Sequence, residues 1–144
     1  MQAKPAPIFV EQQFQVSRQE LWNAITQKNQ MIVWFFENIP DFKPEIGFKT
    51  QFVIENEGRQ FTHLWEIIEV IPEKKIVYRW KYKEYPGVGT VYFEIEGDED
   101  TAKLTLTNLG LESFPTNIPE FKRESCQSGW NYFINQRLKI YLES

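Results

Sequence analysis

The chain has 144 residues, of which 42% are hydrophobic and 25% are charged. This composition is typical of a globular protein and excludes a disordered one. The formal net charge is −4 and no basic tract is present, so we expect no nucleic acid as a partner. No apolar run approaches the roughly 18 residues of a membrane span, which predicts that no segment crosses a membrane. We expect a single domain over residues 1–144.

The first residues and the cysteine usage point to an intracellular protein. Residues 1–7 contain Pro5 and Pro7, lack the apolar core of a signal peptide and predict an irregular segment. Cys126 is the only cysteine, so no disulfide can form within the chain, which suits a reducing compartment. These features predict a cytoplasmic location.

The N-terminal third predicts one strand followed by two short helices. Apolar and polar residues alternate from Ile8 to Val16, as in a half-buried strand. Ser17 and Glu20 then have the spacing of a capping box, in which the serine hydroxyl accepts from the Glu20 amide and Glu20 reaches back to the Ser17 amide. A second helix is predicted over Met31–Phe36, and the prolines of Pro40–Pro44 indicate a loop.

Five further strands are predicted between Gly47 and Leu109, because aromatic and aliphatic residues alternate with polar ones there. In the second of these strands the alternation breaks at Glu66–Glu69, which predicts either a β-bulge or a change of the exposed face. Turn-forming residues separate the strands at Glu55–Gly58, Pro72, Pro86–Gly89 and Gly97–Asp100.

The C-terminal region predicts one long helix. Thr116 or Asn117 can cap it, with Pro119 in its first turn. If it reached Leu142, the helix would be roughly 36 Å long. One stripe at helical spacing is apolar, and it consists of Cys126, Trp130, Phe133, Ile134, Leu138 and Tyr141.

This order of elements resembles that of the helix-grip superfamily, which includes the START lipid-transfer domains. Within it, the chain resembles the family of heat-shock-protein-90 ATPase activator homologues (C-terminal-domain-like). The matching segments are Ser17–Trp22, Glu69–Trp80, Thr90–Phe93, Ala102–Thr107 and Ser128–Trp130. The resemblance implies an α+β helix-grip fold: a curved antiparallel six-stranded sheet around a long C-terminal helix, with two short helices between strands 1 and 2.

The same resemblance implies a cavity between the sheet and the last helix. Inward aromatic residues of that cavity could bind a ligand or could fill the interior themselves, since protein cores pack to crystal-like density. The candidate ligand-binding residues are Phe36, Phe52, His63, Trp65, Tyr78, Trp80, Phe93, Trp130 and Phe133.

Catalytic and metal chemistry have little support in the sequence. His63 is the only histidine, and we expect a neighbouring hydroxyl to satisfy it. Cys126 falls on the core stripe of a helix, where thiols are usually inert. We therefore expect no metal site, no cofactor and no catalytic residue.

Two further residues have alternative interpretations. Arg79 is expected on the outer face, paired with Glu94 or Glu96; in a shifted register it would turn inward and anchor a carboxylate ligand. Gly129 costs a helix about 1 kcal/mol relative to alanine. We expect a close approach of the helix backbone to the sheet there, and a ligand contact is the alternative.

These inferences predict non-enzymatic binding of a small hydrophobic molecule, such as a lipid, a polyketide or an aromatic metabolite. Its entrance would lie between the Pro40–Pro44 loop, the hairpin turns and the start of the last helix. An alternative function, implied by the family resemblance, is that of a chaperone-accessory domain in the stress response. A third is a polyketide cyclase-like or hydrolase-like enzyme.

Overall fold

A computed structural model describes residues 7–143, so most of the predicted irregular segment at residues 1–7 lies outside the described residues. The strands are β1 (Ile8–Phe14), β2 (Lys49–Asn56), β3 (Arg59–Ile71), β4 (Lys75–Tyr82), β5 (Tyr85–Gly97) and β6 (Ala102–Leu109). The helices are α1 (Arg18–Thr26), α2 (Lys28–Trp34), α3 (Arg123–Asn131) and α4 (Lys139–Glu143), with a π-helical segment (Tyr132–Leu138) joining the last two.

The six strands form one antiparallel sheet in the order β1-β6-β5-β4-β3-β2. The sheet is curved, and the helices cover its concave face. This arrangement confirms the predicted α+β helix-grip fold. Within residues 7–143, no helix is both long enough and apolar enough to cross a bilayer.

The predicted capping box begins α1. The Ser17 hydroxyl accepts from the Glu20 amide at 3.0 Å, as expected. The return contact differs, because the Ser17 hydroxyl itself donates to Glu20 Oε1 at 3.3 Å. The second helix lies earlier than predicted, at Lys28–Trp34, and leaves Phe35 and Phe36 beyond its end.

The predicted bulge in β3 is confirmed by a register shift between Ile67 and Glu69 against β4. The predicted turn at Pro86–Gly89 is wrong. The chain turns at residues 83–84, Tyr82 pairs with Tyr85, and Pro86–Gly89 belong to β5 opposite a second register irregularity. Proline and glycine serve bulges as well as turns, so their presence alone did not distinguish the two.

A single final helix starting at Thr116 or Asn117 is also wrong. Pro119–Phe121 forms a separate 3₁₀ turn, and Lys122 is extended between that turn and α3. Proline favours the first position of a short 3₁₀ turn as much as that of an α-helix. The predicted apolar stripe does face the sheet, since Trp130, Ile134 and Leu138 are buried.

Side-chain contacts fix α2 against the end of the chain. The Arg137 guanidinium donates to the Val33 carbonyl, and the Tyr141 hydroxyl donates to Gln30 Oε1 at 3.1 Å. Phe35, directly after α2, is thereby held over the middle of the sheet, with its ring centroid 5.4 Å from that of Trp65.

Candidate functional site

A pocket of about 190 Å³ lies between the sheet and α3. Strands β3 and β4 form its floor, α3 and the π-helical segment form one wall, and the connection after β6 forms the other. Asn108, Leu111 and Glu120 line it and are partly exposed, so they form its rim. No residue of the Pro40–Pro44 loop lines this pocket, so the predicted entrance beside that loop is wrong.

The structure divides the nine candidate residues between this pocket and the packed core. Those that line the pocket are Phe36, His63, Trp80, Trp130 and Phe133. Those that do not line it are Phe52, Trp65, Tyr78 and Phe93. The latter four are buried in the main hydrophobic cluster. A role of any of the nine in binding stays a prediction.

The pocket also contains residues that the sequence did not indicate. Tyr82 lies on the inward face of β4. It is two residues beyond Trp80 and four beyond Tyr78, so strand alternation could have indicated that it faces the pocket. Phe114 and Phe121 come from the irregular connection after β6, where no periodicity exists. Their rings pack 5.2 Å apart and, with Phe61, form a second buried cluster at the rim.

Phe36 forms the inner wall of the pocket. Its ring centroid lies 5.1 Å from that of His63 and 5.0 Å from that of Phe133. The same side chain also lines a surface pocket of about 260 Å³ beside Asn38 and Arg137. Phe36 therefore separates an inner pocket from an outer one.

An ion pair fixes the rim. Arg59 donates to the Glu120 carboxylate from Nε at 2.8 Å and from Nη2 at 2.9 Å, and Asn56 Nδ2 donates to it at 2.7 Å. These hydrogen bonds, those from Arg59 above all, hold the pKa of Glu120 below its ordinary value. The β2–β3 hairpin thus holds the Pro119–Phe121 turn in place.

His63 is buried and neutral at physiological pH. Burial lowers its pKa to about 4, while the Phe61 carbonyl and the Glu84 charge act in the opposite direction. Its Nδ1 lies 3.1 Å from the Phe61 carbonyl oxygen, which can only accept, so Nδ1 carries the proton and Nε2 is an acceptor. The partner is therefore a backbone carbonyl and not the hydroxyl we expected.

Three inward polar atoms of β3 and β4 are buried and have no hydrogen-bond partner among residues 7–143: Trp65 Nε1, Tyr78 Oη and Trp80 Nε1. Of these three side chains, that of Trp80 lines the pocket. Burial raises the pKa of Tyr82 beyond its ordinary range, and the neighbouring Trp80 side chain, which is close enough to act on the Tyr82 hydroxyl, lowers it in part. Each buried donor without a partner costs free energy.

Cys126 lines the pocket but is a poor nucleophile. Burial raises the pKa of its thiol to about 11, so the thiol stays protonated at neutral pH. Its Sγ lies 3.5 Å from the Glu120 carbonyl oxygen, to which it donates. Within residues 7–143, no three His, Cys, Asp or Glu side chains are grouped so that they could hold a metal ion.

Gly129 faces the pocket and does not touch the sheet. Apart from its own helix and chain neighbours, no heavy atom lies within 4 Å of the place where a Cβ would stand. The predicted close approach of the helix backbone is therefore wrong, and the residue contributes open space to the pocket wall.

Arg79 lies on the outer face of the sheet, as predicted. It is exposed and bonds Glu66 on β3 at 3.3 Å, so the predicted pairing with Glu94 or Glu96 on β5 is wrong. Arg79 stands directly opposite Glu66 in the β3–β4 register, and cross-strand neighbours have the shortest distance to cover.

A curved sheet that grips a C-terminal helix around an aromatic pocket defines the helix-grip class of proteins. The sequence matches the family described as "Activator of Hsp90 ATPase homolog 1-like protein" over residues 15–143. The chain belongs to this family. It is 28% identical over 139 residues to the human protein "Activator of 90 kDa heat shock protein ATPase homolog 1", covering 92% of this chain and 36% of that protein. The chain thus spans about a third of its human relative.

Solved structures share the fold at low sequence identity. A protein from Chromobacterium violaceum superposes with a TM-score of 0.80 at 17% identity, covering 98% of this chain and 99% of that one. DynU16, a protein from the dynemicin biosynthetic locus, superposes with a TM-score of 0.74 at 21% identity. That match covers 98% of this chain and 48% of DynU16.

Proposed function

We propose that the chain binds a small, neutral, largely apolar molecule in the pocket beside α3, without catalysing a reaction on it. The observation that carries this proposal is the open wall at Gly129, in an interior that is elsewhere closely packed with aromatic rings. A glycine inside a helix is unfavourable by about 1 kcal/mol. No heavy atom of the sheet lies within 4 Å of its Cβ position to offset that cost, and the residue lines the pocket.

The pocket volume limits the size of the molecule. Ligand sites usually enclose about 300–1,000 Å³. The 190 Å³ of this pocket suits a molecule of one or two rings, or the buried part of a larger one whose other end lies at the rim. Apolar burial would drive binding at roughly 25 cal/mol per Å².

The side chains of the pocket support binding without chemistry. General acid–base catalysis works best when the pKa of the group lies near the operating pH. His63, with a pKa of about 4, and Cys126, with a pKa of about 11, are both far from neutrality. Neither side chain therefore supports the alternative that the chain is an enzyme.

Binding can be measured with the neutral naphthalene dye prodan, whose emission reports the polarity around it. The wild type is expected to bind it saturably with a blue-shifted emission. Gly129→Leu places a leucine side chain in the open space of the pocket wall and is expected to abolish that binding. Ser128→Leu places the same side chain on the exposed side of α3 and is the matched control, expected to bind as the wild type does. Equal binding by both variants would overturn the proposed site.

Contact with a chaperone is a second candidate, favoured by the family and by the human relative. It predicts that the chain raises the ATPase rate of a purified Hsp90. An unchanged rate at saturating chain concentration would argue against it.

A further inference from the structure

The sheet has two edge strands, β1 and β2, and side chains cover the first of them. An edge strand directs backbone N–H and C=O groups away from the sheet, where another strand can pair with them. Along β1, Gln127 Nε2 donates to the Phe9 carbonyl at 3.2 Å. Further along, Lys139 Nζ donates to the Gln13 carbonyl at 2.6 Å. The C-terminal helical region thus occupies the position that an added strand would take beside β1.

The β2–β3 hairpin determines which backbone groups of β2 point outward. Its two-residue turn, Glu57–Gly58, has positive φ at both positions, 49° and 81°, as in a type I′ turn. The residues that close such a turn, Asn56 and Arg59, form a hydrogen-bonded pair, and such pairs alternate with open pairs along two antiparallel strands. The residues of β2 whose backbone groups point away from β3 are therefore Lys49, Gln51, Val53 and Glu55.

This outward edge of β2 is open. Within residues 7–143, one side-chain hydrogen bond reaches its backbone, from Asn38 Nδ2 to the Val53 carbonyl. The distance of 3.4 Å is long for a hydrogen bond and Asn38 is exposed, so an incoming strand can displace that side chain. The Val53 side chain is itself 42% exposed. An added strand would therefore find unpaired backbone groups along β2.

The sequence of β2 is complementary to a second copy of itself. If Phe52 faces Phe52 of the second copy in an antiparallel pair, Lys49 stands opposite Glu55 and Gln51 stands opposite Val53. Every outward-facing residue then belongs to a hydrogen-bonded pair. A slip by two residues in either direction places Gln51 or Val53 opposite itself and removes the pairs between lysine and glutamate. One register thus combines full backbone pairing with matched charges.

The two charged residues of this register have no ion-pair partner within their own chain, as far as residues 7–143 describe it. Glu66 stands opposite Lys49 on β3, but it pairs with Arg79 at 3.3 Å. Glu55 likewise forms no ion pair among these residues. Opposite charges on directly facing residues stabilise a pair of strands, whereas like charges destabilise it. A second copy would give both residues a partner.

We propose that two copies of the chain associate through antiparallel pairing of their β2 edges, with Lys49 of each copy opposite Glu55 of the other. The two sheets then form one continuous sheet. Because the same strand is used by both copies and the β1 edges are covered, association closes at the dimer and does not continue into fibres.

Sedimentation velocity over a range of protein concentrations tests the pairing. The wild type is expected to approach twice the chain mass of 17.2 kDa as the concentration rises. Val53→Pro removes an outward N–H without removing a hydrogen bond to β3 and is expected to remain a monomer. Val53→Thr keeps that N–H and is the matched control, expected to dimerise. A wild type that stays monomeric throughout, or a dimer that Val53→Pro leaves intact, would overturn the proposal. The monomeric result would leave the edge to an extended segment of a different protein.

Charge reversal tests the register and does not depend on the folding of the proline variant. Lys49→Glu alone and Glu55→Lys alone each place like charges opposite one another at both ends of the paired strands. Each variant is expected to self-associate about ten-fold more weakly than the wild type. In an equimolar mixture, a dimer with one chain of each kind has opposite charges at both ends again and is expected to regain wild-type affinity. A mixture that associates no more tightly than the separate variants would overturn the proposed pairing.

Discussion

The aromatic interior has two ends that are built from the same strands and filled differently. At the packed end, defined by Phe42, Trp65, Tyr78 and Phe93, neighbouring ring centroids lie 5.2–5.6 Å apart, and none of these four residues lines the pocket beside α3. At the pocket end, around His63, Trp80 and Tyr82, the rings leave about 190 Å³ open. The residues that pack over the inward face of the strands account for this difference between a filled end and an open one.

Phe35 and Phe42 cover the packed end, whereas Gly129 faces the pocket end. The Phe35 ring packs 5.4 Å from that of Trp65 and 5.0 Å from that of Phe133, so it closes the packed end off from the pocket. On the other side, α3 presents a residue without a side chain. Strand alternation therefore determines which residues face inward, and the helices and loops determine where a cavity stays open.

The largest expected difference between the ends is the cost of deleting a ring. Phe93→Ala at the packed end is expected to lower the free energy of unfolding by about 3–5 kcal/mol, because it creates a cavity in a close-packed core. Phe133→Ala at the pocket end is expected to cost clearly less, since that ring is only partly buried and already borders open space. Urea unfolding of both variants measures the difference, and equal losses would refute it.

The second expected effect is an acid sensitivity from the pocket end. The pKa of His63 is about 4 in the folded protein and near its ordinary value of 6.5 when unfolded, so the unfolded state binds more protons between these values. Stability is therefore expected to fall as the pH drops from 6.5 to 4, by about 3 kcal/mol. His63→Phe should flatten this decline in urea titrations. Glu84 and Glu120, whose pKa values are lowered from 4.5, add their losses only at lower pH. An unchanged slope above pH 5 in the variant would show that His63 is not the group responsible.

A smaller effect is expected from the unsatisfied hydroxyl at the packed end. Tyr78→Phe removes a buried Oη that has no partner among the described residues, without leaving a large cavity. We expect the free energy of unfolding to rise by about 1–2 kcal/mol. Thermal unfolding measures the gain, and a clear loss of stability would mean that the hydroxyl has a partner such as a buried water.

The smallest expected effect is at Gly129. Gly129→Ala adds a methyl group to open space and improves helix propensity, so we expect a gain of up to about 1 kcal/mol. Calorimetry of the two proteins would detect it. If the alanine variant were instead destabilised, the helix backbone would approach the sheet closely at Gly129, as the sequence suggested.

The sequence predicted the sheet well because strand alternation is a local signal. It placed His63, Trp65 and Trp80 inward and located the bulge in β3. It could not distinguish the bulge at Pro86–Gly89 from a turn, since both use the same residues.

The pocket was less predictable because its rim depends on contacts between distant parts of the chain. The hydrogen bond from Arg59 to Glu120 joins residues 61 positions apart, and no local sequence pattern predicts it. Phe114 and Phe121 lie in irregular backbone without periodicity. Gly129 gave a local signal, but a helical glycine indicates either a close contact or a space, and only the packing shows which.

The central claim is that a small neutral molecule binds at the pocket end and not elsewhere. Intermolecular NOEs between isotope-labelled protein and unlabelled 2-acetylnaphthalene test it most directly. We predict NOEs from the naphthalene protons to Phe114, Phe121 and Gly129, and none to Phe93 or Tyr78. Saturable binding with NOEs only to the outer sheet groove near Lys49 and Lys81, or no binding at all, would contradict the account.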